Sequence, residues 1–209
     1  MSKPKHSKSS AAWLQEHHKD HYVKKSKADG YRSRAAYKLL DLNKKYTLFK
    51  KGMSVVDLGA APGGWSQVVQ GLVTEHGRVY ALDILPLDPL AHVQFIQGDF
   101  TENEPYEELL QLTKGKSIDW VISDMAPNMS GNTTTDQIRS LYLVELAVSF
   151  ADQTLNQGGN FLAKIFNGKG TDELIKTLRE NYNKVIIKKP DSSRARSSET
   201  YILALNKKY

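Results

Sequence analysis

At 209 residues, with 40% apolar and 25% charged side chains, the chain has room for one domain with a sizeable core and none for a second full domain. The absence of cysteine excludes disulfides, cysteine-bound zinc and any route through a cysteine nucleophile, methylation of pyrimidine carbon 5 by that route included. No apolar run reaches membrane length and the start is polar, so a cytoplasmic protein free of membrane is expected, a monomer by default.

The net charge of +6 conceals a division along the chain. Residues 1–51 carry 14 Lys and Arg against 4 Asp and Glu, residues 52–183 carry 8 against 17, and residues 184–209 carry 7 against 2. Basic flanks on an acidic body predict a polyanion meeting one face, with nucleic acid the leading candidate. Arg32 and Arg34, beside Tyr31 and Tyr37, and Arg194 and Arg196, in a serine-rich loop, are the residues expected to bind that nucleic acid. Guanidinium forks grip phosphates there, and aromatic faces stack on bases.

In chain order, residues 1–12 read as a disordered basic arm and 13–209 as the domain, whose segment 13–51 is helical and faces the polyanion. The pattern predicts a first helix over 11–27 and a second from Arg34 to about Tyr46 capped by Ser33. His17, His18 and His21 lack the cysteine or spaced carboxylate partners of a metal site, so no metal is expected. Strands are expected near Val55, Val79, Phe95, Val121, Phe161, Val185 and Ile202. Helices fall between them, near 67–74, 106–112, 138–154 and 172–182. That alternation predicts an α/β Rossmann-like single domain with a seven-stranded, mostly parallel sheet. No helix separates 184–189 from 200–205, so these two strands should pair antiparallel as an edge hairpin.

The run Ser54-Val55-Val56-Asp57-Leu58-Gly59-Ala60-Ala61-Pro62-Gly63-Gly64-Trp65-Ser66 is a buried strand entering a glycine-rich turn that opens a helix. Its spacing is not that of a dinucleotide loop, and Pro62 removes one N–H donor from it. Asp83, Asp99 and Asp124 each follow an apolar run, so a parallel sheet gathers them at one crevice. Carboxylates repel a diphosphate but suit the hydroxyls, amine, ammonium and sulfonium of S-adenosylmethionine, which is the cofactor these signs favour. Each Asp alone reads as readily as a helix cap or turn residue.

Methyl transfer from a sulfonium to a sugar hydroxyl needs in-line alignment and a group that takes the proton or steadies the alkoxide. Lys164, inside the apolar strand Phe161-Leu162-Ala163-Lys164-Ile165-Phe166, is the oddest charge in the chain, and Asp124 is its expected partner. A structural ion pair is the competing account of that couple.

Three stretches then carry a resemblance: 57–67, which begins Asp57-Leu58-Gly59-Ala60-Ala61-Pro62; 123–131, which begins Ser123-Asp124-Met125-Ala126-Pro127; and 189–197, which begins Lys189-Pro190-Asp191-Ser192-Ser193. Together they closely resemble the FtsJ/RrmJ family of ribosomal RNA 2′-O-ribose methyltransferases. Lys38, Asp124, Lys164 and Glu199 match that family's Lys-Asp-Lys-Glu tetrad in order and context. The resemblance implies methylation of a uridine ribose in large-subunit ribosomal RNA, on the assembled or nearly assembled subunit. It also implies that Gly63, Trp65, Asp83, Asp99 and Asp124 hold S-adenosylmethionine and that Lys164 accepts the proton. Ribose methylation of transfer RNA or a messenger cap, and a non-catalytic ribosome-assembly role, are the alternatives.

Overall fold

The computed structural model describes residues 20–168, 170–194 and 196–209. The expected arm over 1–12, and the part of the first expected helix before Asp20, lie outside them. Seven strands form one sheet: β1 Ser54–Leu58, β2 Arg78–Asp83, β3 Val93–Gln97, β4 Ile118–Ser123, β5 Leu155–Phe166, β6 Tyr182–Lys188 and β7 Glu199–Lys207. Their order is β3-β2-β1-β4-β5-β7-β6. β1 to β5 pair in parallel, and β7 inserts antiparallel between β5 and β6. The order reverses direction between β1 and β4, which opens a crevice at their carboxyl ends. Because β7 runs the other way, its first residue, Glu199, lies beside Phe166 at that same end of the sheet.

Among the described residues there are six helices: α1 His21–Ala28, α2 Ala35–Tyr46, α3 Gly64–Val73, α4 Asn103–Thr113, α5 Thr133–Thr154 and α6 Thr171–Asn181. Successive strand residues point to opposite faces and so feed two cores. Val56, Tyr80, Val121 and Phe161 join α4, α5 and α6, whereas Val55, Val79, Trp120 and Leu162 join α2 and α3. This double burial is why the centres of these strands, Val55-Val56 in β1, Trp120-Val121-Ile122 in β4 and Phe161-Leu162-Ala163 in β5, are apolar on both faces.

Two boundaries differ from expectation for visible reasons. α5 starts at Thr133 rather than near Ile138, because the Asn132 side chain caps it by accepting the Thr135 N–H. The run Thr133-Thr134-Thr135 is weak helix-forming sequence that the cap rescues. Ser33 does not cap α2; Arg34 flanks its first residue, and the Ser33 hydroxyl is buried against Gly64 without a hydrogen-bond partner among the described residues. The chain is held there instead by Gln67, whose side chain accepts the Arg32 N–H and donates to the Gly30 carbonyl.

Candidate active site

The crevice has two walls. On the first, the glycine-rich turn after β1 folds back on β2: the Gly59 and Ala60 N–H groups both donate to the Leu82 carbonyl, at 2.9 and 3.2 Å. Gly59 has no room for a side chain, since a Cβ would lie 2.7 Å from Met125 Cγ and 2.9 Å from its main-chain nitrogen. The close approach of the β4–α5 loop requires glycine there. Asp83 accepts the Ala61 N–H on one oxygen and the Leu85 N–H on the other, each at 2.8 Å, and Asp99 accepts the Thr101 N–H at 2.9 Å and its hydroxyl at 2.7 Å. Both carboxylates therefore cap turns and still border a cavity of about 490 Å³, which Gly59, Asp124, Met125 and Tyr142 also line. A carboxylate has more acceptor sites than two donors fill, so each can take a further hydroxyl or amine from a ligand.

Gly63 and Trp65 stand at the start of α3, outside that lining. Gly63 adopts φ 105°, a conformation that favours glycine. The Trp65 side chain is buried, with its indole N–H on the Ala35 carbonyl at 2.9 Å and its ring against Tyr201. Gly63 gives its N–H to the Ala60 carbonyl at 2.7 Å, so what this helix start has to offer a ligand is the main-chain N–H of Trp65.

On the second wall, Lys164 Nζ lies 3.1 Å from Asp124 Oδ1 and donates to the Asp124 carbonyl at 2.6 Å. The Tyr201 hydroxyl donates to the same Asp124 Oδ1 at 2.7 Å. Tyr201 is the register partner of Lys164 across β5 and β7. Glu199, two residues before Tyr201, pairs with Lys38 Nζ at 2.7 Å, and that ammonium lies 5.7 Å from the centre of the Tyr201 ring. The four tetrad residues thus meet as two ion pairs around one tyrosine. Burial alone would raise the Asp124 carboxyl, but Lys164 and then Lys38, with the Tyr201 hydrogen bond, hold it below the ordinary carboxylate value. Burial, together with the charges of Asp124 and Glu199, pushes Tyr201 well above its usual value and keeps it a neutral donor.

The sequence reading passed over Tyr201, although its place two residues after Glu199 puts both on one strand face. It also passed over Asp57, as anomalous in the apolar β1 as Lys164 is in β5. Asp57 is fully buried, and its Oδ2 accepts the Ser66 hydroxyl at 2.6 Å. Burial pushes its carboxyl up to about 7 against the lowering effect of that hydrogen bond, and the charges of Asp124 and Asp83 add to the rise.

The four arginines do not form an open patch. Arg32 donates to the Asp88 and Pro89 carbonyls at 2.7 and 2.9 Å, tying down the segment after β2. Arg34 and Arg194 converge on Asp20, at 3.3 and 3.0 Å, and Arg34 also donates to the Ser192 carbonyl. Arg34, Arg194 and Arg196 nonetheless line a second cavity of about 490 Å³ together with Lys38 and Glu199, so it opens beside the tetrad. Of the histidines weighed above, His17 and His18 lie outside the described residues and His21 is exposed against Tyr22. Among the described residues no cluster of His, Asp and Glu fits a metal ion.

Residues 31–207 match the FtsJ-like methyltransferase family. The chain belongs to that family. Its FtsJ-like relatives include the ribosomal RNA large subunit methyltransferase E of Hydrogenovibrio crunogenus, 56% identical over 97% of this chain and 98% of the relative. The protein of that name from Marinobacter nauticus is 58% identical over 95% of this chain and 96% of its own length. Among solved structures, a provisionally named ribosomal RNA methyltransferase from Plasmodium falciparum superposes with a TM-score of 0.73 at 33% identity, covering 85% of this chain and 98% of its own. The matched span holds the crevice, the tetrad and all four arginines. No helix among the described residues is long and apolar enough to cross a membrane.

Proposed function

We propose that this protein transfers the methyl group of S-adenosylmethionine to the 2′ oxygen of a uridine ribose in large-subunit ribosomal RNA, on an assembled or nearly assembled subunit. The observation that carries the reading is the position of Lys164: its ammonium is held by Asp124, and Asp124 also lines the cavity with the carboxylates. The cofactor fits this site on the chemistry of its donors. Asp83 and Asp99 are turned into a cavity of about 490 Å³, within the range of nucleoside-sized ligands. Bound there, the cofactor supplies an electrophilic methyl group. Asp83, Asp99 and Asp124 would hold its polar groups through free lone pairs, while Gly63 would shape the turn through its φ of 105° and Trp65 would contribute a main-chain donor at the start of α3.

The chain's own residues do the rest. Lys38 and Glu199, joined by an ion pair on the substrate side, orient the ribose hydroxyl. Lys164 takes its proton as a neutral amine, having released its own ammonium proton to water as RNA and cofactor close over the site, and Asp124, itself held by Tyr201, keeps that amine from swinging away from the hydroxyl. The cavity of Arg34, Arg194 and Arg196 beside Lys38 receives the phosphates flanking that ribose.

The test offers purified protein and labelled cofactor separately to intact large subunits, free ribosomal RNA and transfer RNA. Label in the large subunit at one uridine is the expected result. Preference for transfer RNA would replace the substrate, and no transfer to any RNA would leave an assembly factor.

A further inference from the structure

A further cluster of cations lies outside the tetrad and its arginines. The loop between β6 and β7 is fastened to α2 at Ser192, whose N–H donates to Asp41 Oδ2 at 2.8 Å and whose carbonyl accepts from Arg34 at 2.6 Å. To one side of this fastening lies the cavity of Lys38 and the arginines. To the other lies a hollow of about 320 Å³ bordered by Lys44, Lys45 and Lys188, with Asp41, Pro190 and Asp191.

Lys44 and Lys45 are exposed, Lys188 is half-buried, and among the described residues none of the three has a hydrogen bond or ion pair through its side chain. Two carboxylates share the hollow: Asp41, one oxygen of which accepts the Ser192 amide, and Asp191. Lysines in the last turn of a helix are ordinarily accounted for by its dipole, and Lys45 also lies 5.6 Å from the Tyr46 ring. Lys188 ends strand β6, where no helix end accounts for it. The three ammonium groups outnumber the two carboxylates on the same lining, Asp41 and Asp191, and a phosphate that enters meets that excess of positive charge. From Lys38 to Lys45 is seven residues of helix, about 10 Å along its axis, a span of a few nucleotides.

We infer that Lys44, Lys45 and Lys188 hold backbone phosphates of the substrate RNA a few nucleotides from the ribose at Lys38, so that α2 and the β6–β7 loop form one track. The inference rests on the reading of the site as an RNA methyltransferase. Phosphate contacts of this kind set register and affinity and leave the chemical step alone. Neutralising the three lysines should therefore act on RNA binding only.

The experiment compares wild type with the triple variant Lys44→Gln, Lys45→Gln, Lys188→Gln, and with the charge-retaining triple Lys44→Arg, Lys45→Arg, Lys188→Arg, on large ribosomal subunits. The glutamine triple should raise KM for the subunit about tenfold or more, with kcat and cofactor affinity unchanged. Its plot of log affinity against log salt should be shallower by about two to three. The arginine triple should behave as wild type. An unchanged KM and salt slope in the glutamine triple overturns the track, as does a loss that the arginine triple shares. If the wild type transfers no methyl group to any RNA, the reading of the site itself has failed; transfer by wild type with an indifferent glutamine triple removes the track alone.

Discussion

On the wall proposed to hold the cofactor, Asp83 and Asp99 each accept from the main chain two residues further on, and Asp83 also takes the Ala61 N–H from the turn of the neighbouring strand, 22 residues away. On the acceptor side the principal contacts are remote: Lys164 meets Asp124 across 40 residues, Tyr201 meets Asp124 across 77, and Arg34 meets Ser192 across 158. The first wall is a row of local caps on strand ends, while the second exists only once β7 has inserted beside β5 and both flanks of the chain have closed over it. A cofactor pocket can thus be complete while the acceptor site is broken. Substitutions at Lys38, Lys164 or Glu199 should stop chemistry while leaving cofactor binding intact, whereas Asp124 serves both walls.

The largest break should come from Lys164→Ala, with turnover on large subunits falling about 10²–10⁴-fold. Cofactor affinity by calorimetry should stay near wild type, and equal losses in both would erase the distinction between the walls. Glu199→Gln keeps the shape but weakens the grip on Lys38. Rate measurements at saturating RNA should show a fall of about 10–100-fold, the value of one hydrogen bond to a charged group.

Asp57 lies beneath both walls and sharpens the comparison through pH. Its carboxyl is raised to about 7 in the fold, so the native state holds a proton that the unfolded chain releases near pH 4. Its contribution to stability is fully present below the unfolded value and is lost as pH rises through about 7. Asp57→Asn should therefore flatten the decline in Tm across that window and leave the variant the more stable of the two above it. Thermal melts from pH 4 to pH 8 check the sign.

The smallest effect concerns the seam where α2 meets α3. An alanine at Gly64 collides with the Ser33 hydroxyl, and Gly64→Ala should cost about 1–3 kcal/mol by denaturant titration. Adding Ser33→Ala should recover much of that loss, a coupling that a double-mutant cycle reads directly.

The same division explains what could be read from the sequence. Alternating apolar runs and helical periods are local, so the seven strands and the sheet class were legible, as was the gathering of Asp83, Asp99 and Asp124 at one edge. Lys164 and Asp57 betray themselves by charge inside apolar strands, and the first was noticed where the second was not. Residue pattern alone did not show that Lys38 reaches Glu199, because their meeting depends on β7 running antiparallel, and the resemblance supplied it. Nor could it show that Arg34 and Arg194 share Asp20, so cations read as a surface patch are partly internal ties. The early start of α5 escaped for a smaller reason: one asparagine cap outweighs three threonines.

The central claim is that the acceptor is a ribose oxygen beside Lys164. Alkaline hydrolysis of large-subunit RNA labelled by the purified protein tests it directly, because a methyl on the 2′ oxygen blocks cleavage of the adjoining phosphodiester. Label recovered in an alkali-resistant dinucleotide is the result the site predicts; label recovered on a mononucleotide would place the methyl on a base and contradict it.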